Sequence, residues 1–187
     1  MLNSRLALFT FGVFAKPADD PANEGFHVRN DPILAAVPQA EGFIAHSGYP
    51  DEPGPEMWGD YVFPAFYEER GDGWTPQTLS LWRDLESAMA FAYQGLHAEA
   101  LRHGREWFEP PQWPPYAVWW VAGDHTPTWS EACAKHLQLH EHGASEQVFT
   151  FKQPFGPDGK PVALDGQKIK QIAARNAERL SGTSMVG

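Results

Sequence analysis

Cysteine is almost absent: Cys133 is the single one in 187 residues. No intramolecular disulfide can form, and a cysteine-based zinc site is excluded. Positive charge is scarce as well, with 14 Lys and Arg against 24 Asp and Glu and a formal net charge of −10. A phosphate backbone or an anionic membrane surface would be repelled by the molecule as a whole, so neither nucleic acid nor membrane is expected as a partner. No apolar run approaches the roughly 18 to 20 residues that a membrane-spanning helix requires. The apolar stretch after Arg5 alternates with small and polar residues and has no small-residue cleavage site behind it. It therefore reads as a strand rather than a signal segment, and a cytoplasmic address is expected. Gly71-Asp72-Gly73 and Gly156-Pro157-Asp158-Gly159 lack the strand-to-helix setting of a phosphate-binding loop and read as turns. No internal repeat is present, and no Ser-His-Asp or Cys-His arrangement is indicated.

Aromatic rings are plentiful. They make up 13% of the chain, eight of them Trp, in a composition that is 42% hydrophobic and otherwise that of a globular domain. Rigid rings in that number line either a core or a cavity. The length suits one domain, with room for an extra terminal element.

Apolar patterning gives the elements. Arg5 to Phe14 is a near-continuous apolar strand. Phe26, Ile33, Leu34 and Val37 repeat at helical spacing around Pro32, which predicts a helix kinked at that proline or begun late at it. Glu41-Gly42 stops it, and Phe43 to Tyr49 is a second strand. Tyr61 to Tyr67 reads as a short strand or an insertion lid. Gln77 to Trp82 alternates as a strand and runs into a long helix opened by Arg83 or Asp84, bent at Gly95 and ended by the prolines of Glu109 to Pro115. Tyr116 to Val121 is a strand. Thr128 and Glu131 form a capping box for a helix through His142, stopped by Gly143. Gln147 to Phe151 is one more short strand. Finally Ile169, Ile172, Ala173 and Leu180 share a helical face within Lys168 to Leu180. Residues 153–187 carry Lys160, Lys168, Lys170, Arg175 and Arg179 against Asp158, Asp165 and Glu178, a basic tail on an acidic body. It docks on its own or a partner subunit, or stands as a frayed solvated helix.

The order is that of the α+β ferredoxin-like split βαβ plait, with an added C-terminal helix and strand. Such a sheet has two helices on one face and a bare second face. An apolar bare face is commonly covered by a second copy, so a homodimer is expected.

The runs Leu79-Ser80-Leu81-Trp82, Phe91-Ala92-Tyr93, His97-x-x-x-Leu101-Arg102, Glu106-Trp107-Phe108, Trp119-Trp120-Val121, Gly123-x-His125-x-Pro127-Thr128, Glu131-Ala132 and Phe149-Thr150-Phe151 resemble a bacterial domain-of-unknown-function family. That family is placed in the dimeric α/β-barrel superfamily, beside the antibiotic-biosynthesis monooxygenases. The resemblance covers roughly Leu6 to Lys152 and suggests a dimeric α/β-barrel domain over 1–152, with an extension over 153–187 holding a short amphipathic helix. It implies no settled activity, although the superfamily includes cofactor-free oxygenases and, more distantly, haem proteins that use a helix histidine. Two departures stand out. Tyr93-Gln94-Gly95-Leu96 precedes His97 where the family tends to carry an arginine and small residues, and residues 50–76 and the tail are longer than the usual pattern.

His97 shares a helical stripe with Leu96, Ala100, Leu101, Gly104 and Phe108, so its imidazole is expected to point into an apolar interior. Desolvation there keeps the ring neutral, the state required of a general base or a haem ligand. The plainer reading is a core histidine held by a carbonyl or carboxylate. With the resemblance, the sequence points to a monooxygenase-like or cyclase-like enzyme for a flat, largely apolar molecule, aromatic or of polyketide or terpenoid type, with no cofactor. His97 would transfer the proton, Tyr93 and His46 would help by hydrogen bonding, and Trp82, Trp107, Trp120, Phe91 and Leu101 would wall a pocket between sheet and helices. Haem binding through His97 and a non-enzymatic ligand-binding dimer are the alternatives. His136 and His140 stand four apart on one helix, a metal-binding spacing, but no third ligand follows and half-buried packing is the expected role. His103 is expected to pair with Glu99 on a helix surface. Trp119 and its neighbour Trp120 must face opposite sides of their strand, and Cys133 falls in an apolar stripe where it would be inert.

Overall fold

The computed structural model describes residues 4–183. Met1 to Asn3 and Ser184 to Gly187, at the outer ends of the expected domain and extension, lie outside the described residues. Strands β1 (Ser4–Phe11), β2 (Phe43–His46), β3 (Gln77–Trp82) and β4 (Tyr116–Ala122) form one antiparallel sheet in the order β2-β3-β1-β4. Helix α1 (Glu24–Ala36) joins β1 to β2, and α2 (Leu85–Tyr93) with α3 (Gly95–Trp107) joins β3 to β4. This is the α+β ferredoxin-like order that the sequence predicts. Helices α4 (Trp129–His142) and α5 (Gly166–Thr183) follow.

Side chains on a strand alternate between faces, and directly paired residues share a face. Leu6 pairs with Trp82 and Trp120, while its neighbour Ala7 pairs with Leu81 and Trp119. The two adjacent tryptophans therefore point to opposite sides, as expected. Leu6, Leu8, Trp82 and Val118 pack against Leu85 and Ala88 of α2 and against Phe149 and Phe151. On the other side Ala7, Phe9, Phe11, Leu79, Leu81 and Trp119 pack against Trp129, Ala132 and Cys133 of α4 and against a run of aromatic residues from Tyr49 to Tyr67. The face expected to be bare is thus covered from within the chain. That removes the ground on which a sheet-to-sheet homodimer was expected.

The cover has little regular structure. Tyr61–Tyr67 is neither strand nor helix; its rings seat on the sheet and α4, with Tyr61 edge-on to Trp129 at 4.9 Å and Phe66 stacked on Trp113 at 4.8 Å. Its start is fixed by Gly48, whose amide bonds Glu56 O and where a Cβ would sit 1.9 Å from Pro55 O. Hence β2 stops at His46 instead of running to Tyr49. The strand expected over Gln147–Phe151 is reduced to isolated bridges, of which the one to the sheet has Val118 and Phe149 exchanging two backbone hydrogen bonds of 2.9 and 2.8 Å.

Helix α1 begins at Glu24 and keeps Pro32 inside it, so it does not start at that proline. Asp84 caps α2, its carboxylate accepting from Ser87 N at 2.8 Å. Thr128 caps α4 by accepting from Glu131 N at 3.1 Å, and Gly143 closes that helix at φ 77°. Glu131 does not return to the Thr128 amide. Its carboxylate takes Trp119 Nε1–H at 2.9 Å and His125 at 2.6 Å instead.

The basic tail docks on its own chain. Asp165 accepts from Gln167 N and Lys168 N at 2.9 and 3.0 Å and starts α5. Ile169 and Ile172 are buried against Ala90, Met89 and Leu164. Burying such a side chain is worth about 1.5–3 kcal/mol, whereas exposed ion pairs are worth about 0–1 kcal/mol each, so the two isoleucines hold α5 down. The ion pairs set its position: Lys168 meets Glu86 at 3.0 Å, and Arg175 grips Glu41 with contacts of 2.6 and 3.0 Å.

Candidate functional site

The long helix that follows β3 breaks in its middle. Gln94 is extended, at φ −132° and ψ 162°, and Gly95 takes φ 60°, a left-handed conformation that glycine enters without a Cβ penalty. A helix that ends leaves its last carbonyls without intrahelical partners. His97 supplies one from the other side of the break: its Nδ1 lies 2.7 Å from Ala92 O. A carbonyl only accepts, so Nδ1 carries the hydrogen and the neutral ring keeps its lone pair on Nε2. Among the described residues Nε2 has no hydrogen-bond partner. Desolvation pushes the imidazole pKa below its ordinary value, opposed in part by the Ala92 bond, so the ring is neutral near pH 7.

His97 lines a groove of about 430 Å³ at the break. Ala90, Phe91 and Gln94 to His97 form its floor, Ile33 and Ala36 of α1 one side, and Ala173, Asn176, Ala177, Leu180 and Ser181 of α5 the other. The lining is mostly apolar. Several of its polar groups are already engaged: Asn176 accepts from Glu41 N at 2.8 Å, Ser181 Oγ donates to Ala177 O at 2.9 Å, and Glu99 lies 3.4 Å from Arg29. Among the described residues, no lysine or arginine lines the groove.

A family model described as Domain of unknown function (DUF3291) matches residues 5–164. The chain belongs to that family. No curated protein and no solved structure matches it. The DUF3291 match runs past Lys152, where the sequence resemblance was expected to stop, and ends before α5 begins at Gly166. The floor of the groove therefore lies inside the DUF3291 region and its α5 side outside it.

Of the residues expected to form a site, the groove brings together His97 and Phe91, with ring centroids 5.6 Å apart. Trp82 stands behind Phe91 at 5.4 Å, buried, its Nε1–H given to Ser80 Oγ at 3.0 Å. The others do not line it. Tyr93 turns away from the groove toward Phe151 and Tyr116. His46, on β2, gives its Nδ1–H to Ser47 O at 2.9 Å. Trp107 ends α3 in a separate cluster with Phe14 and Ala18, under the Arg29 guanidinium at 5.8 Å. Trp120 donates to Phe155 O at 2.8 Å beneath the loop after Phe151, and Leu101 is 47% exposed on α3. The groove lies between helices, with α1 on one side, the α2–α3 break at its floor and α5 on the other side.

The remaining histidines hold other posts. His136 is fully buried against Phe9, Phe11 and Phe66, its Nε2–H donated to Pro114 O and its Nδ1 unpartnered, and burial lowers its pKa. His140 is exposed, and no group of three metal-ligating side chains exists among the described residues. His103 pairs with Glu106 at 2.9 Å rather than with Glu99, which faces Arg29. Cys133 is buried and its thiol pushed up to about 12, which leaves it inert. No helix among the described residues is long and apolar enough to cross a membrane.

Sequence reasoning missed the groove's sides, Ile33 and Ala36 on α1 and Ala173, Asn176 and Ala177 on α5. The Ile169, Ile172, Ala173, Leu180 stripe was the available signal, since a helix with one apolar face must seat it somewhere.

Proposed function

We propose that the groove at the α2–α3 break binds a flat, largely apolar small molecule bearing one O–H or N–H donor, and that His97 Nε2 accepts that hydrogen. The observation that carries this reading is the 2.7 Å bond from His97 Nδ1–H to Ala92 O, which holds the neutral ring with its lone pair on Nε2. With a more acidic donor, such as the enol of a 1,3-dicarbonyl compound, acceptance becomes proton transfer: the proton moves to Nε2, the electron pair stays on the ligand oxygen, and the Nδ1–H bond is kept. This is the step a monooxygenase-like or cyclase-like reaction on such a molecule requires first. The absence of cations in the lining favours neutral ligands over carboxylates or phosphates. A sheet-to-sheet dimer is no part of this reading, because α4 and the aromatic cover occupy that face.

Haem, for which the same lone pair would be an axial ligand, does not fit the lining. Its two propionates would find no lysine or arginine among the described lining residues, whose one charged group is the Glu99 carboxylate, paired with Arg29.

Titration of the protein with 2-naphthol, followed by fluorescence, tests the proposal. Saturable binding is expected, with His97→Ala weakening it about tenfold, the value of one lost hydrogen bond of about 1.4 kcal/mol. Equal affinity of the two proteins removes His97 from the site.

A further inference from the structure

The two sides of the groove are built differently. Its floor and the α1 side belong to the DUF3291 region, whereas the opposite side is α5, which starts beyond the family match. Along α5 a single face runs through Ile169, Ile172, Ala173, Asn176 and Ala177, at the three- and four-residue spacing that brings side chains to one stripe. The two isoleucines fill their space completely, at 7% and 0% exposure. One turn later the stripe changes to small side chains, and the groove opens there.

The helix does not drift away at that point. Arg175 and Asn176 both reach the segment at Glu41, Arg175 on the carboxylate at 2.6 Å and Asn176 on the backbone amide at 2.8 Å. The α5 backbone is therefore held beside the groove, and the room on that side depends on how short the side chains at 173 and 177 are. A leucine at either position would add three carbons to a wall that has no freedom to retreat.

Building on the reading of this groove as a ligand site, we infer that Ala173 and Ala177 are its specificity-determining residues. They set how many fused rings a neutral phenol can carry and still reach His97. The DUF3291 region supplies the acceptor, and the appended helix supplies the size limit.

The test is a ladder of neutral phenols (phenol, 2-naphthol and 9-phenanthrol) titrated into the wild-type protein, Ala173→Leu, Ala177→Leu and His97→Ala. Both leucine variants are expected to lose affinity for 9-phenanthrol by about tenfold or more while keeping phenol. An unchanged ring-size preference in both variants overturns the inference. A second measurement is independent of filling the groove. In Ala177→Cys the introduced thiol stands at the exposed mouth, whereas Cys133 is buried and unreactive, so N-ethylmaleimide labels one site. Bound 2-naphthol is expected to slow labelling several-fold, and an unaltered rate at saturating 2-naphthol overturns the inference. Failure of the groove reading itself shows elsewhere: no phenol binds the wild-type protein, or His97→Ala binds all three as well as wild type does.

Discussion

His97 reaches back across a helix break to Ala92, with 2.7 Å between its Nδ1 and the carbonyl oxygen. The imidazole caps α2 through Nδ1–H, and in the reading proposed above its Nε2 is the acceptor of the groove. Its two nitrogens divide those roles.

The capping role predicts a stability loss that needs no ligand. His97→Ala leaves the Ala92 carbonyl half-buried and unpaired and removes an imidazole packed on Phe91, which should cost about 1–2 kcal/mol. Chemical denaturation at pH 7.5 measures it. An unchanged midpoint would mean that water caps α2 equally well.

Acid should destabilise the fold through two histidines. The folded-state pKa values of His97 and His136 both lie below the ordinary 6.5, because burial disfavours their charged forms. The unfolded chain therefore binds protons more readily. Their stabilising contribution is complete above pH 6.5 and is lost as pH falls from there to the lowered folded values. Unfolding free energy measured at pH 7.5 and 5 should drop, and His136→Gln should reduce the slope. A flat profile over that interval contradicts this.

Glu41 is the electrostatic anchor of α5. Its carboxylate faces Arg175 at 2.6 Å, Arg83 at 3.4 Å and Arg179 at 3.6 Å, and the Arg175 hydrogen bond leads in holding its pKa down at about 2. This contribution is present above the ordinary 4.5 and is lost as pH falls toward 2. Glu41→Gln should raise the amide exchange rate along α5 about fivefold, as expected of an ion-pair cluster worth about 1 kcal/mol whose arginines are partly solvated. Exchange that stays at the wild-type rate would leave the anchoring to the isoleucines, Lys168 and Asn176.

Two glycines should respond differently to alanine. Gly95 has φ 60° and open space around its missing Cβ, so Gly95→Ala pays only backbone strain of about 1 kcal/mol. At Gly48 a Cβ would meet Pro55 O at 1.9 Å, so Gly48→Ala has to displace the start of the aromatic cover and should cost at least about 2 kcal/mol. Thermal melts of the two variants, with the Trp129 environment followed by fluorescence, separate the cases. The same shift in both would refute the distinction.

Local rules carried the sequence a long way. Alternation in Gln77–Trp82, the Asp84 and Thr128 caps and the weak point at Gly95 each depend on neighbours a few residues apart, and each is found in place. Gln147–Phe151 was misjudged because strand-like residues that join the sheet at the single Val118–Phe149 bridge leave no trace of that shortage in their own composition. The cover from Tyr49 to Tyr67 has no period for a pattern search to find; it is held by ring contacts to Trp129, Phe11 and Trp113. His97 and Phe91 were legible as a pair because they lie on one broken helix. The α5 side was not, since the contact between Asn176 and Glu41 joins residues 135 positions apart.

The tautomer set at Ala92 makes the groove and the end of α2 parts of one equilibrium. A donor arriving at Nε2 draws electron density through the ring, makes Nδ1–H more acidic and tightens its bond to the carbonyl. Reciprocity then requires that whatever steadies the end of α2 also raises affinity in the groove, and by the same factor. On the proposed reading, a helix terminus in this protein is thus a thermodynamic partner of the ligand in the groove.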